Sequence, residues 1–312
     1  MSEFPSFFRL RQTFEAPRVA DIAGEVRAQL EKLRLHETVR PGQSVAISVG
    51  SRGIANIALI TKAIVDYLKS LGAEPFLVPA MGSHGGGTAE GQQKVIESYG
   101  VTEAYCGCPI RASMETVVVC QTVEGFDVHF DRHAFEADHV LVCNRIKPHT
   151  GFVGDIESGL MKMMLIGLGK HEGAKIYHRA IQDYSFGQIV RSVAGRVLES
   201  CHVVAGLGIV ENGYDQTASI TAVEPREFEA REKELLILAK KLLPRLPFDR
   251  VHLLIIDEIG KNISGTGMDT NVVGRKYQIH EPAPDEFPKV KCILIRGLTA
   301  ETQGNATGIG LA

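Results

Sequence analysis

The sequence carries no surplus of charge of either sign. Its 34 lysines and arginines nearly balance 37 aspartates and glutamates, giving a formal net charge of −3 and a pI near 6.4. Without a basic surplus there is no electrostatic footprint for nucleic acid or an anionic membrane. Local pairs such as Lys240-Lys241 fall in helical patterns and read as solvated faces. Long apolar runs are also missing: none reaches the roughly 18 residues of a spanning helix. At the N-terminus Phe4, Phe7 and Phe8 are broken by Pro5 and Ser6, without the cationic start and apolar core of a secretory signal. The expectation is a cytoplasmic protein. The six cysteines are scattered. Cys120, Cys143 and Cys292 lie in apolar runs, where buried inert thiols are the default. Cys106-Gly107-Cys108 has no second pair at zinc-site spacing. No internal repeat or low-complexity tract is present.

What is present is a chain of 312 residues, 44% hydrophobic, long enough for a sizeable core and for two domains. Apolar runs alternate with helical patterns, which predicts an α/β fold of mostly parallel sheets flanked by helices. Strands are expected at 45–49, 76–79, 140–143, 202–209 and 219–223, with a hairpin of 117–120 and 128–130 turning through Glu124-Gly125. Helices are expected at 57–71, 88–99, 158–168, 186–198 and 225–243, the first from apolar residues three or four apart and stopped by Gly72. The two prolines in Leu243-Pro244-Arg245-Leu246-Pro247 mark a boundary, which divides the chain into 1–246 and 247–312. Strands at 251–256 and 292–295 begin the second domain. Its 66 residues are few for a core of its own, and it ends in the glycine-rich 305–312. A truncated second domain is therefore expected, with the active site in the cleft between the two.

Four segments follow strands, where open α/β sheets bind ligands. Gly50-Ser51-Arg52-Gly53 lies between a strand and a helix, where backbone N–H groups and an arginine suit a phosphate; an ordinary turn reads equally well. Gly82-Ser83-His84-Gly85-Gly86-Gly87-Thr88 places a histidine among more glycines than a turn needs, so that backbone approaches a ligand closely. In 144–152, Pro148 restricts the chain just before His149, in a run that also fits a charged surface loop. The fourth segment runs from Gly159-Leu160-Met161-Lys162 to Tyr177-His178. Its methionines read as core, and Lys162 is the anomaly. A lysine in so apolar a stretch must snorkel, pair or react, and desolvation favours the nucleophilic neutral amine.

Together these segments resemble the lactate racemase family. Gly82-Ser83-His84 is similar to the family's Gly-Thr-His turn, and Pro148-His149 with the following Gly-Phe to its Pro-His stretch. Gly159-x-x-Lys162 resembles its Gly-x-x-Lys, Ser51-Arg52 its Thr-Arg pair, and His178 follows Lys162 by 16 residues, as the family's nickel-binding histidine follows its attaching lysine. The resemblance implies nickel in a nickel-pincer nucleotide (pyridinium-3-thioamide-5-thiocarboxylic acid mononucleotide) attached to Lys162. It implies His178 as the metal ligand, Ser51 and Arg52 on the cofactor phosphate, and His84 and His149 as acid/base catalysts on opposite faces of the substrate. It further implies a racemase or epimerase that inverts the carbinol carbon of a small 2-hydroxy acid, loaded by cofactor-maturation proteins. The likeness covers residues 40 to 200 and weakens beyond.

Three departures point to a substrate other than lactate. Val49 stands where the family has an aspartate, the stretch between His149 and Lys162 is longer, and Lys261–Met268 lacks the family's glutamine and lysine. Asp269, Asn271 and Arg275, in the polar loop that follows, become the candidates for choosing the substrate. Arg275 is suited to a bidentate grip on a carboxylate, and a solvated loop is the alternative. Two other functions fit the same residues. One is a phosphate- or nucleotide-handling enzyme without nickel, although neither a P-loop nor a G-x-G-x-x-G pattern is present. The other is a non-catalytic homologue that binds the cofactor.

Overall fold

The computed structural model describes residues 7–51, 53–276 and 287–312. The described chain divides into two compact units, Pro17–Lys241 and a second made of residues 7–16 with Leu242–Ala312.

The first unit is built on a five-stranded sheet. Its strands are β1 (Ser44–Val49), β2 (Glu74–Pro79), β5 (His139–Arg145), β6 (Val203–Glu211) and β7 (Thr217–Val223), in the order β2-β1-β5-β6-β7. The first four are mutually parallel, and β7 returns antiparallel on β6. Alternation along each strand sends side chains to opposite faces. Val45, Ile47 and Val49 face one core with Leu77, Leu141, Leu207 and Ile209. Ala46, Phe76, Val78, Val140 and Val142 face the other. Burial on both faces is why these strands read as continuous apolar runs. The hairpin of β3 (Thr116–Gln121) and β4 (Asp127–Asp131) forms a separate antiparallel pair.

Helices α1 (Ile22–Lys32) and α2 (Ile57–Ser70) cover the first face. Asp21 caps α1 by accepting the Gly24 N–H at 2.8 Å. The sequence reading missed this helix, whose buried stripe is only Ile22, Val26 and Leu30. Next come α3 (Ala89–Ser98), α4 (Glu103–Cys106) and α5 (Arg132–Glu136). The single helix expected at 158–168 is broken. It begins as α6 (Leu160–Lys162), passes into a π turn at Met163–Gly167, and restarts as α7 (Lys170–Ala180). In the π turn the Leu168 N–H donates five residues back, to the Met163 carbonyl at 2.8 Å. Such turns recur at functional sites. Helix α8 (Phe186–Ser200) opens on a Ser185/Gln188 capping box, and α9 (Phe228–Leu242) lays Phe228 and Glu232 against the second face.

In the second unit β8 (Arg250–Ile259) and β9 (Lys289–Leu298) pair in parallel, with α10 (Thr270–Val273) between them in sequence. Ile259, Met268, Val273, Val290 and Ile293 form its buried cluster. Among the described residues no helix is long and apolar enough to cross a membrane.

Candidate functional site

Because β1, β2 and β5 are parallel, the segments leaving them emerge along one edge of the sheet. The Ser51 hydroxyl lies 2.5 Å from His84 Nδ1, so the ends of β1 and β2 meet through side chains. Tyr99 of the segment after α3 donates to the Ser51 carbonyl at 2.8 Å. Arg52 lies outside the described residues. The start of α2 is anchored by Glu211, which accepts the Ala55 N–H at 2.6 Å and pairs with Arg145 at the end of β5.

The His84 turn is held from beneath. Buried Gln92 of α3 donates to the Gly82 carbonyl at 2.8 Å and to the His84 carbonyl at 3.3 Å. Gly85 has φ +64°, and a Cβ there would fall 2.6 Å from the Gln92 nitrogen and the Gly91 carbonyl carbon. Gly86 has φ +70° with open space around it. Gly85→Ala is therefore expected to cost about 2–3 kcal/mol and Gly86→Ala about 1 kcal/mol, in urea melts of the purified protein. Equal costs for the two would remove the packing argument.

The third segment folds back on β5. Lys147 and Ser158 form an antiparallel bridge, and Asn144 donates to the Gly159 carbonyl at 2.8 Å. Within this loop Glu157 is fully buried; it accepts the His149 N–H at 2.6 Å and the Gly154 N–H at 3.1 Å, and it pairs with Lys240 at 2.6 Å. His149 Nδ1 accepts the Gly151 N–H at 2.9 Å, so in the neutral ring the proton resides on Nε2. The imidazole stacks on Phe152 at 4.0 Å between centroids, and Phe152 packs on Phe186 at 4.3 Å.

Phe186, the first residue of α8, is the hub that gathers the fourth segment. The half-buried Lys162 ammonium stands over its ring at 5.9 Å, and Tyr177 meets it edge-on at 5.6 Å. Tyr177 in turn lies 5.2 Å from the exposed His178 ring on α7. His149 and Lys162 thus border one aromatic cluster, with exposed His178 next to its Tyr177, while His84 stands with Ser51 at the neighbouring strand ends. The two groups touch where Gly82 lies against Ile166 of the π turn.

Lys170 was missed by the sequence reading. It is fully buried with φ +54°, pairs with buried Asp131 at 2.9 Å, and donates to the Pro79 carbonyl; Gln92 Oε1 is 3.5 Å away. Burial lowers its pKa more than Asp131 raises it. Its signal in the sequence is only the Gly169-Lys170 pair where α7 starts.

The substrate-loop residues require a correction. The Arg275 side chain is buried, 1% exposed, and its guanidinium donates to the carbonyls of Val290, Leu311 at 3.1 Å, Lys291 at 3.2 Å and Gly274 at 3.2 Å. Committed to its own backbone, it is not the carboxylate grip expected of it. Asp269 caps α10 and accepts from the Asn271 backbone and side-chain nitrogens, while Asn271 accepts from Lys276 at 2.6 Å. The Cys106-x-Cys108 pair is buried, and burial pushes Cys108 up to about 12, the reverse of what a thiolate ligand needs.

A model of the lactate racemase N-terminal domain matches residues 9–186, more than half of the chain. The chain belongs to the lactate racemase family. Two solved structures share the fold of this family member. A structural-genomics protein from Thermotoga maritima superposes with a TM-score of 0.58 at 16% identity, over 80% of this chain and 66% of that one. The lactate racemase apoprotein from Thermoanaerobacterium thermosaccharolyticum gives 0.53 at 14%, over 80% and 63%. This lactate racemase family chain therefore spans just under two thirds of the length of either. No curated protein matches it. Among its described residues no three His, Cys, Asp or Glu side chains gather as a metal site.

Proposed function

We propose that this chain is the cofactor-holding part of a racemase or epimerase acting on a 2-hydroxy acid, with a nickel-pincer nucleotide carried on Lys162. The observation that carries the reading is the gathering of Lys162 and His149 about Phe186, with His178 next to Tyr177 of the same cluster, beside the strand ends that hold His84 and Ser51. The donor set fits the group. Lys162 offers a primary amine on a half-buried turn, and His178 an exposed imidazole, a ligand type that suits nickel. Ser51, with Arg52 beside it in sequence, precedes the start of α2, where a phosphate is favoured.

When bound, the cofactor supplies a reversible hydride acceptor, which avoids removing a weakly acidic C–H proton. The chain's own work is to place protons. His84 Nδ1 shares a hydrogen bond with the Ser51 hydroxyl, and with the Nδ1 proton directed to that oxygen its Nε2 is a base for the substrate hydroxyl. His149 starts from the opposite state, with its Nε2 proton ready to be donated. With His84 in that tautomer the two histidines are in opposite states before substrate arrives, and exchanging these states reverses the direction of inversion. Phe152 and Phe186 hold the His149 ring from one side and keep water off it.

Metal analysis, intact mass and a racemisation screen over 2-hydroxy acids test this on the complete protein after maturation. Nickel with added mass on Lys162 and turnover is the expected result. Neither nickel nor added mass would favour the phosphate enzyme, and both without turnover a carrier. His178→Ala is expected to lose nickel, whereas His84→Ala and His149→Ala keep it and lose turnover. Nickel retained by His178→Ala and lost by His84→Ala would reverse the assignment.

A further inference from the structure

The Gly-x-x-Lys motif is explained by a residue far from it in sequence. Glu232 of α9 is fully buried, and its Oε2 accepts the Met161 N–H at 2.9 Å, one residue from Lys162. A Cβ on Gly159 would stand 2.4–2.7 Å from the Glu232 carboxyl atoms, so only glycine admits the carboxyl there. Asn144 holds the Gly159 carbonyl from the other side at 2.8 Å. The second oxygen, Oε1, is buried without a hydrogen-bond partner among the described residues. An uncompensated buried oxygen is costly, and such cost is tolerated where it does something.

We infer that Glu232 is a positioning residue for Lys162, its carboxyl fixing the Gly159–Lys162 turn and setting the electrostatic environment of the amine. The inference rests on Lys162 being the attachment site. Burial raises the Glu232 carboxyl to about 7, against the opposing pull of the Met161 and Leu160 N–H groups. The charged neighbour that acts on it is Glu229 of the same helix, itself paired with Arg191 of α8 and Lys233 of α9, which both also pair with Asp155 of the loop before α6. Glu229, Lys233, Arg191 and Asp155 neutralise one another in a network of ion pairs at 2.6–3.0 Å. Ionisation of Glu232 through neutral pH therefore places a new negative charge next to the Lys162 turn, which stabilises the ammonium and slows the amine as a nucleophile.

The test labels the cofactor-free full chain with an amine-reactive acylating reagent. Peptide mass spectrometry then gives the Lys162 rate relative to Lys32 on α1, in wild type and Glu232→Gln, at pH 5.5 and 8.5. At pH 5.5 the wild-type carboxyl is protonated and resembles the amide, so the relative rates should agree within twofold. At pH 8.5 Glu232→Gln should label Lys162 at least threefold faster than wild type. Equal rates at pH 8.5, or the same difference at both pH values, would overturn the inference, because a purely structural role has no such pH dependence. Glutamine keeps the shape and an accepting oxygen, so the comparison survives even where Glu232→Ala fails to fold. Intact mass of matured wild type is read separately. Added mass elsewhere than Lys162 would defeat the attachment reading while leaving the labelling result to stand or fall alone.

Discussion

Lys162→Ala should abolish the added mass on the matured protein and reduce turnover by on the order of 10³-fold or more, to background. The amine is the only part of the side chain that forms a covalent bond in the proposed reading, and alanine has none. Lys170, eight residues further along the same segment, cannot substitute, because it is sealed against Asp131 and the Pro79 carbonyl. Lys162→Arg is the sharper variant. It keeps the positive charge over Phe186 but offers a guanidinium, which stays protonated and does not acylate. If Lys162 acted only as an anion-binding charge, as a phosphate enzyme would use it, arginine would preserve much of the activity. Equal loss in Ala and Arg, with no added mass in either, separates attachment from charge. The ring contact itself contributes only about 0.5–1 kcal/mol to stability. Intact mass, nickel content and thermal melts on the same preparations make the comparison.

The central strands were legible because burial on both sheet faces writes continuous apolar runs at 45–49, 140–143 and 203–209. Helix α1 was not, because Ile22, Val26 and Leu30 are too sparse a stripe to stand out from the polar residues around them. The 158–168 segment looked like one helix because its composition is apolar throughout. What breaks it is three-dimensional: the Leu168 N–H bonds five residues back to Met163, and Lys170 takes a positive φ where it pairs with buried Asp131. In the site, His84 and His149 stood out for the glycine and proline beside them, and Lys162 for the apolar stretch that holds it. The residues that hold them did not. Gln92, Glu157, Phe186 and Glu232 read as ordinary helix or loop residues, and their roles come from partners in other elements. Arg275 failed in the opposite direction. A polar loop suggested a ligand grip, yet its donors serve four backbone carbonyls of a unit whose described residues form a two-stranded sheet.

The buried Lys170–Asp131 pair should give the largest stability effect in the molecule. Removing one charge strands the other, and Lys170→Met or Asp131→Asn alone is expected to cost about 3–5 kcal/mol. Asparagine can still cap α5, where Asp131 Oδ1 accepts the Ala134 N–H at 2.9 Å, so the Asp131→Asn loss would report the charge and not the cap. The double variant Lys170→Met/Asp131→Asn should recover at least about 2 kcal/mol relative to the sum of the singles. The sign of the Lys170 shift supports that recovery. A lysine pKa lowered in the folded state means that stability is greatest above the ordinary lysine value and is lost as pH falls through the folded one. Burial thus works against the charged form of Lys170 in the folded state, a cost that the double variant removes. Its catalytic consequence follows from Gln92, which faces Lys170 on one side and the Gly82 and His84 carbonyls on the other. With Lys170 gone, the amide loses the neighbour that orients it, and the His84 turn loosens. The double variant should thus be less destabilised than the sum of the singles, yet in its folded form lose kcat more than KM, because the misplaced group is the histidine that moves the proton. Additive destabilisation in urea melts would show that the two charges do not interact, and an unchanged kcat in the folded double variant would show that the pair is indifferent to His84.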